Sequence, residues 1–132
     1  MDFTNTMIGA LGMEVIDANE SVVKMTMPVD ERTKQPMGYL HGGASVALAE
    51  SAASIGTALN VDLDTHNVFG IEINANHLKS KRDGVVTAIA LPLHKGRTTM
   101  VWEIKLTDEE DELICISRCT TGMIEKKLSK SK

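Results

Sequence analysis

Glu50 is the only formal charge between Gln35 and Val61, in a stretch otherwise built of small, apolar and neutral polar residues. In a chain that is 24% charged, about six charges would stand there if the segment were an ordinary solvated helix. A carboxylate enclosed by Ala and Leu loses hydration, which suits a nucleophile or a base. At about 100° per residue Glu50 shares a helical stripe with Ser54 and Thr57, so a merely exposed polar stripe is the competing reading, and the missing charges weigh against it. Upstream, His41 directly precedes Gly42 and Gly43. Glycine lets a ligand approach the backbone, and the unpaired N–H groups at the positive end of a helix can hold a developing oxyanion. The same three residues would serve equally well as a tight loop-to-helix turn with His41 as a polar cap.

These residues depend on the elements that carry them. Residues 42–60 are too long and too rich in Ala and Leu for a strand, and they predict a helix buried nearly all round. Before it, a short helix is expected over 4–11, ended by Gly12, then a hairpin in which Val23, Met25 and Met27 alternate with Val22, Lys24 and Thr26. After it come four alternating segments, 68–79, 85–94, 97–107 and 113–125, joined by short polar connections that predict successive antiparallel pairing. The result is an α+β domain over residues 1–125, an antiparallel sheet around one long helix, with a basic tail at 126–132. A sheet of this size cannot cover the helix completely, so association into a homodimer is expected.

Composition narrows the function. The 132 residues carry 14 Lys+Arg against 18 Asp+Glu, a net charge of -4, which is the wrong sign for a nucleic-acid partner. Aromatics are only 3% and too scattered for base stacking. No stretch approaches the roughly 20 apolar residues of a membrane span, and the start Met1-Asp2-Phe3 lacks signal-peptide features, so a cytoplasmic location is expected. Cys115 and Cys119 lie four residues apart on one strand, about 13 Å, too far to bridge each other. The four histidines and two cysteines show no metal-ligand spacing, and no metal or other cofactor is expected.

The run Gln35-Pro-Met-Gly-Tyr-Leu-His41-Gly-Gly43, then Glu50 in an Ala-rich helix, then Gly70-Ile-Glu-Ile-Asn-Ala-Asn-His77-Leu, resembles the hotdog-fold acyl-CoA thioesterases. More narrowly it resembles the clade acting on aryl thioesters such as hydroxybenzoyl-, phenylacetyl- and 1,4-dihydroxy-2-naphthoyl-CoA. The resemblance implies that Glu50 attacks the thioester carbonyl or activates a water. It implies that the Gln35 side chain and the Gly42 N–H polarise that carbonyl, with His41 lining the pocket and Ser54 and His77 positioning water or the acyl group. Lys79 stands where arginine is frequent in that family.

For the substrate, Gly43 adjoins the oxyanion position, Met37 and Tyr39 are candidates to contact the acyl chain, and Lys79, Lys81, Arg82, Lys95 and Arg97 are candidates for the CoA phosphates, Lys79, Arg82 and Arg97 foremost. A hotdog hydratase or dehydratase, or a non-catalytic acyl-CoA-binding dimer, are the alternatives. Helix geometry adds a constraint of its own. Eight residues separate Gly42 from Glu50, about 12 Å at 1.5 Å per residue, so one thioester cannot touch both in one chain. Two copies of the helix running antiparallel across a two-fold axis would bring Gly42 of one beside Glu50 of the other, giving composite sites in a dimer, itself expected to pair into a dimer of dimers.

Overall fold

A computed structural model describes residues 1–127. Its elements are α1 (Met7–Ala10), β1 (Glu14–Ala18), β2 (Val23–Pro28), α2 (Gly42–Ala58), β3 (His66–His77), β4 (Val85–Lys95), β5 (Thr99–Thr107) and β6 (Leu113–Glu125). The strands form one antiparallel sheet in the order β1-β2-β4-β5-β6-β3.

Period-two alternation decides which face each strand offers to α2. Cross-strand register lines up the inward residues in rows: Val23, Ala90, Ile104, Ser117 and Ala75 in one, Met25, Ala88, Leu106, Cys115 and His77 in the next. The second row runs from buried core directly to His77, at the exposed end of β3. Above the rows lies α2, whose buried side is Ala44, Ser45, Leu48, Ala49, Ala52, Ala53, Ile55, Gly56 and Thr57. Small side chains let helix and sheet approach closely; a methyl added at Gly56 would lie 2.7 Å from Cζ2 of Trp102. Trp102 Nε1 donates to Thr57 Oγ1 at 2.9 Å, and Thr57 and Thr121 share a hydroxyl hydrogen bond of 2.6 Å, so the polar atoms of this buried contact are satisfied.

The structure corrects three expectations. The last four strands are not a simple meander. β4, β5 and β6 are, but β3 pairs with β6 at the sheet's edge, and the place beside β4 is taken by β2. The 78–84 connection crosses the ends of two strands, and its Gly84, at φ +77°, turns the chain into β4 while its carbonyl accepts from the Val29 N–H. Polar turn residues mark a connection without saying which strands it joins.

Secondly, α2 is not buried all round: Ala47, Glu50, Ser51, Ser54 and Ala58, spaced three and four apart, form a half-buried stripe that the sheet leaves open. Thirdly, Thr57 is not on that stripe, because its hydroxyl is drawn into the sheet by Trp102 and Thr121. The short N-terminal helix is a single turn capped by Thr6, and Gly12 ends it at φ +73°. Of the basic tail expected at 126–132, residues 126 and 127 are described, with the Lys126 N–H on the Thr65 carbonyl; the remainder lies outside the described residues.

Candidate active site

The loop 29–41 delivers His41 to the head of α2 with its backbone N–H donating to the Thr33 carbonyl. His41 is the helix N-cap: its Nδ1 accepts from the Gly43 N–H at 2.8 Å, and its carbonyl accepts from the Ala44 and Ser45 N–H groups. Nδ1 therefore carries the lone pair, and the proton of the neutral ring resides on Nε2. With three of the first four helical N–H groups engaged, Gly42 N–H is the donor of that turn left without a partner among the described residues.

Gly42 also lies against His77. A methyl at Gly42 would sit 2.8 Å from His77 Nε2, so glycine is what permits the imidazole from the end of β3 to cover the helix head. Gln35 faces the same space. Its Oε1 accepts from the Met37 N–H at 2.7 Å and the Tyr39 N–H at 3.1 Å, which locks the loop tip and leaves the Nε2 amide free to donate outward. Gln35, Gly42 and His77 thus line one cavity of about 400 Å³, together with Tyr39, Ser45 and Lys79–Lys81. Its donors are an amide N–H₂ and a helix-end N–H, the equipment to stabilise negative charge on a carbonyl oxygen.

Glu50 and Ser54 line a different cleft, of about 560 Å³, with Ser51 as a third polar neighbour and apolar walls from Met7, Ile8, Leu63 and Val68. The carboxylate lies over the backbone of β3 at Gly70, where an added methyl would collide with Oε2 and approach Cδ to 3.1 Å. Here β3 shifts register against β6 between Gly70 and Glu72, an irregularity of the kind that bends a strand next to a site. Beneath, burial together with the charges of Glu50 and Glu72 pushes the Cys119 thiol up to about 12.

The expected site residues therefore fall into two groups: Gln35, Gly42 and His77 in one cavity, Glu50 and Ser54 in the other. His41 and Gly43 border a smaller hollow with Met7 and Arg32. Met37 is 73% exposed at the loop tip, away from both main cavities. Among the bases, Lys79 pairs with Glu112 and Asp108, and Lys81 with Glu109, whose carboxyl this contact holds below the usual range. Arg82 stacks over the Tyr39 ring at 4.5 Å and donates to its hydroxyl. Arg97 lies beyond the far end of β4, on the order of 30 Å from this cluster along the strand, so within one chain the two cannot share a phosphate.

Sequence reasoning missed Met7, Ile8, Leu63 and Val68 as neighbours of Glu50. They come from three segments distant along the chain, and no spacing connects them.

A single long helix on a six-stranded antiparallel sheet, with a helix-head N–H that has no partner among the described residues and a carboxylate two turns along, is the hotdog layout. The chain belongs to the thioesterase superfamily, whose family model matches residues 37–115. It is 51% identical over 117 residues to the 1,4-dihydroxy-2-naphthoyl-CoA hydrolase of Listeria monocytogenes, covering 89% of this chain and 94% of that one. Among solved structures it resembles a mutant thioesterase of Pseudomonas aeruginosa with a TM-score of 0.89 and 43% identity, covering 92% of this chain and 88% of that one. A Staphylococcus aureus thioesterase, solved with a glutamine-to-alanine and with a glutamate-to-alanine substitution, matches at TM-scores of 0.87 and 0.89 and 40% identity, over 89% and 91% of this chain and 97% and 99% of its own.

Proposed function

We propose that the protein hydrolyses acyl-CoA thioesters with an aromatic acyl group, of the 1,4-dihydroxy-2-naphthoyl or hydroxybenzoyl type, to the free acid and CoA. The observation that carries this reading is the combination of a helix-end N–H without a partner among the described residues, a pre-oriented Gln35 amide, and a carboxylate that is the only charge on its helix. Gln35 Nε2 and the Gly42 N–H would hold the carbonyl oxygen as it gains charge. Glu50, as nucleophile or as base to a water, supplies the attack, and the tetrahedral intermediate then expels CoA as its thiolate. Ser54 and His77 position the water and the acyl group. The two substitutions in the Staphylococcus aureus structures stand 15 positions apart, the separation of Gln35 and Glu50 here, which supports pairing these two residues in one mechanism.

The two groups reach one thioester only if a second copy joins them. β3 is an edge strand of twelve residues, paired with β6 on one side and with no strand among the described residues on the other, with Phe69 41% and Ile71 54% exposed, a surface that a monomer in water would leave open to association. Glu50 rests on that same strand at Gly70. A second chain adding its β3 about a two-fold axis would cover the edge and set its own Gln35 and Gly42 beside this Glu50, giving two composite sites per dimer. Lys79 lines the Gln35 cavity and Arg82 lies against Tyr39, one of its walls, so these are the bases placed to meet CoA phosphate, and the two unbridged cysteines suit the cytoplasm.

Thiol release from a panel of CoA thioesters tests the reading. Naphthoyl- and benzoyl-CoA should exceed acetyl- and long-chain acyl-CoA in kcat/KM by at least about tenfold. Equal rates across the panel would overturn the aromatic assignment, and no hydrolysis of any thioester would overturn the enzyme.

A further inference from the structure

We infer that the N-terminal segment forms the selective wall of the acyl cleft and that Met7 is the residue that decides which acyl group is accepted. This rests on the function proposed above and names the part of the chain that would set its specificity. The floor of the Glu50 cleft is Ala47, Ser51, Ser54 and Ala58, none reaching more than two heavy atoms beyond the backbone, so the floor can distinguish little about an acyl group's shape. Shape must be read by the larger side chains opposite.

Of the larger side chains that line the cleft, Ile55 belongs to α2 and is 6% exposed, Ile8 packs partly into the core, and Leu63 and Val68 belong to the segment that enters β3. Met7 is 59% exposed, lines the Glu50 cleft, and also borders the hollow beside His41 and Gly43, so its side chain lies alongside the helix between its head and Glu50. Its base is held firmly. Thr6 Oγ1 donates to the Phe3 carbonyl at 2.6 Å, the Met13 N–H donates to the Ile8 carbonyl at 3.0 Å, and a methyl at Gly9 would press to 3.3 Å from the Phe3 carbonyl carbon. Phe3, Ile8 and Leu11 pack down on the core. An anchored base with an unbranched, polarisable tip suits a flat aromatic ring, because a thioether conforms to the ring and makes favourable sulfur–aromatic contacts. A two-carbon acyl group attacked at Glu50 gains little from this wall.

Met7→Ala and Met7→Leu test it. Neither substitution touches a buried position, since no residue of α1 is buried. In the Ala variant kcat/KM for naphthoyl-CoA should fall at least about tenfold further than for acetyl-CoA, while Leu, of similar volume, should restore most of the difference. A naphthoyl-to-acetyl ratio unchanged within about twofold, or an equal fall for both substrates, would overturn the inference. Calorimetric titration with free 1-hydroxy-2-naphthoate separates this from the enzymatic reading. Binding by the wild type weakened about tenfold in Met7→Ala supports the wall even if no thioester is hydrolysed. Absent binding, or equal binding by both, defeats it whatever the activity.

Discussion

At Gly42 and Gly70 a single hydrogen in place of a methyl decides the geometry of the site. Gly42→Ala would push His77 off the helix head, where the imidazole stands 2.8 Å from the added carbon, and would crowd the Gly42 N–H, which has no partner among the described residues. Loss of one oxyanion donor costs about 10²-fold in kcat, and Gly42→Ala should approach that loss with an almost unchanged melting temperature. Glu50→Gln keeps volume but removes charge, so kcat should fall at least about 10²-fold with little change in KM, measured by thiol release. Wild-type turnover in that variant would remove Glu50 from the mechanism. Cys119 gives a test by pH. Its folded-state value, about 12, lies above the ordinary 9.0 because burial and the Glu50 and Glu72 charges disfavour the thiolate. Above pH 9 the unfolded chain ionises this thiol while the folded chain does not, so its stability contribution is complete below pH 9 and declines as pH rises toward 12. Urea titrations should show an alkaline loss of stability that is shallower in Cys119→Ala, and the folded wild type should resist thiol-modifying reagents at pH 8.

Among the elements, α2 is held to the sheet by buried apolar side chains and, at Thr57, by polar contacts as well. Thr57→Val keeps shape but leaves Trp102 Nε1 without its acceptor and takes from Thr121 its 2.6 Å partner. A buried donor left unsatisfied costs about 1–3 kcal/mol, so a urea midpoint lower by about 2 kcal/mol in stability is expected, with kcat nearly intact. This contact also shows what could be read from residues alone. The helix, its start at Gly42, the hairpin and every strand of the sheet were legible because their periodicities are local; Glu50 and Gly42 stand out in the sequence because a lone carboxylate and a paired-glycine helix start are unusual for their surroundings, whereas Gln35 is marked only by the family resemblance. Thr57 was read onto the Glu50 stripe because helical spacing says which residues share a side and not what the sheet opposite offers them. The place of β3 was illegible for a similar reason. Alternation marks β3 as a strand, but its pairing with β6 instead of β4 depends on β2 having already taken the far side of β4, a competition between segments some sixty residues apart. Met7 and Val68 as neighbours of Glu50 belong to the same class of long-range fact.

For the whole molecule, the separation of the Gln35 and Glu50 cavities makes subunit mixing the decisive experiment. Gln35 and Gly42 open onto one cavity and Glu50 onto another, and the helix puts about 12 Å between the backbones of Gly42 and Glu50. A nucleophile must come within about 3–3.5 Å of the carbonyl whose oxygen the donors hold, and a Glu side chain spans only a few ångströms of that gap. If the proposed dimer joins Gln35 of one chain to Glu50 of the other, Gln35→Ala and Glu50→Ala homodimers each have both sites defective. Random mixing makes half of the dimers heterodimers. In each of these, one site combines both substitutions and the other combines neither, so activity should recover to about one quarter of wild type when the parents are nearly dead. Adding Gly42→Ala to the Gln35→Ala chain should leave that quarter unchanged, because both residues then sit in the site already lost. Putting Gly42→Ala on the Glu50→Ala chain instead should abolish the recovery, since the intact site draws its helix head from that chain. Activity at only the mean of the two parents, from subunits shown by mass to have exchanged, would mean that Gln35 and Glu50 act within one chain and that β3 does not bring two half-sites together.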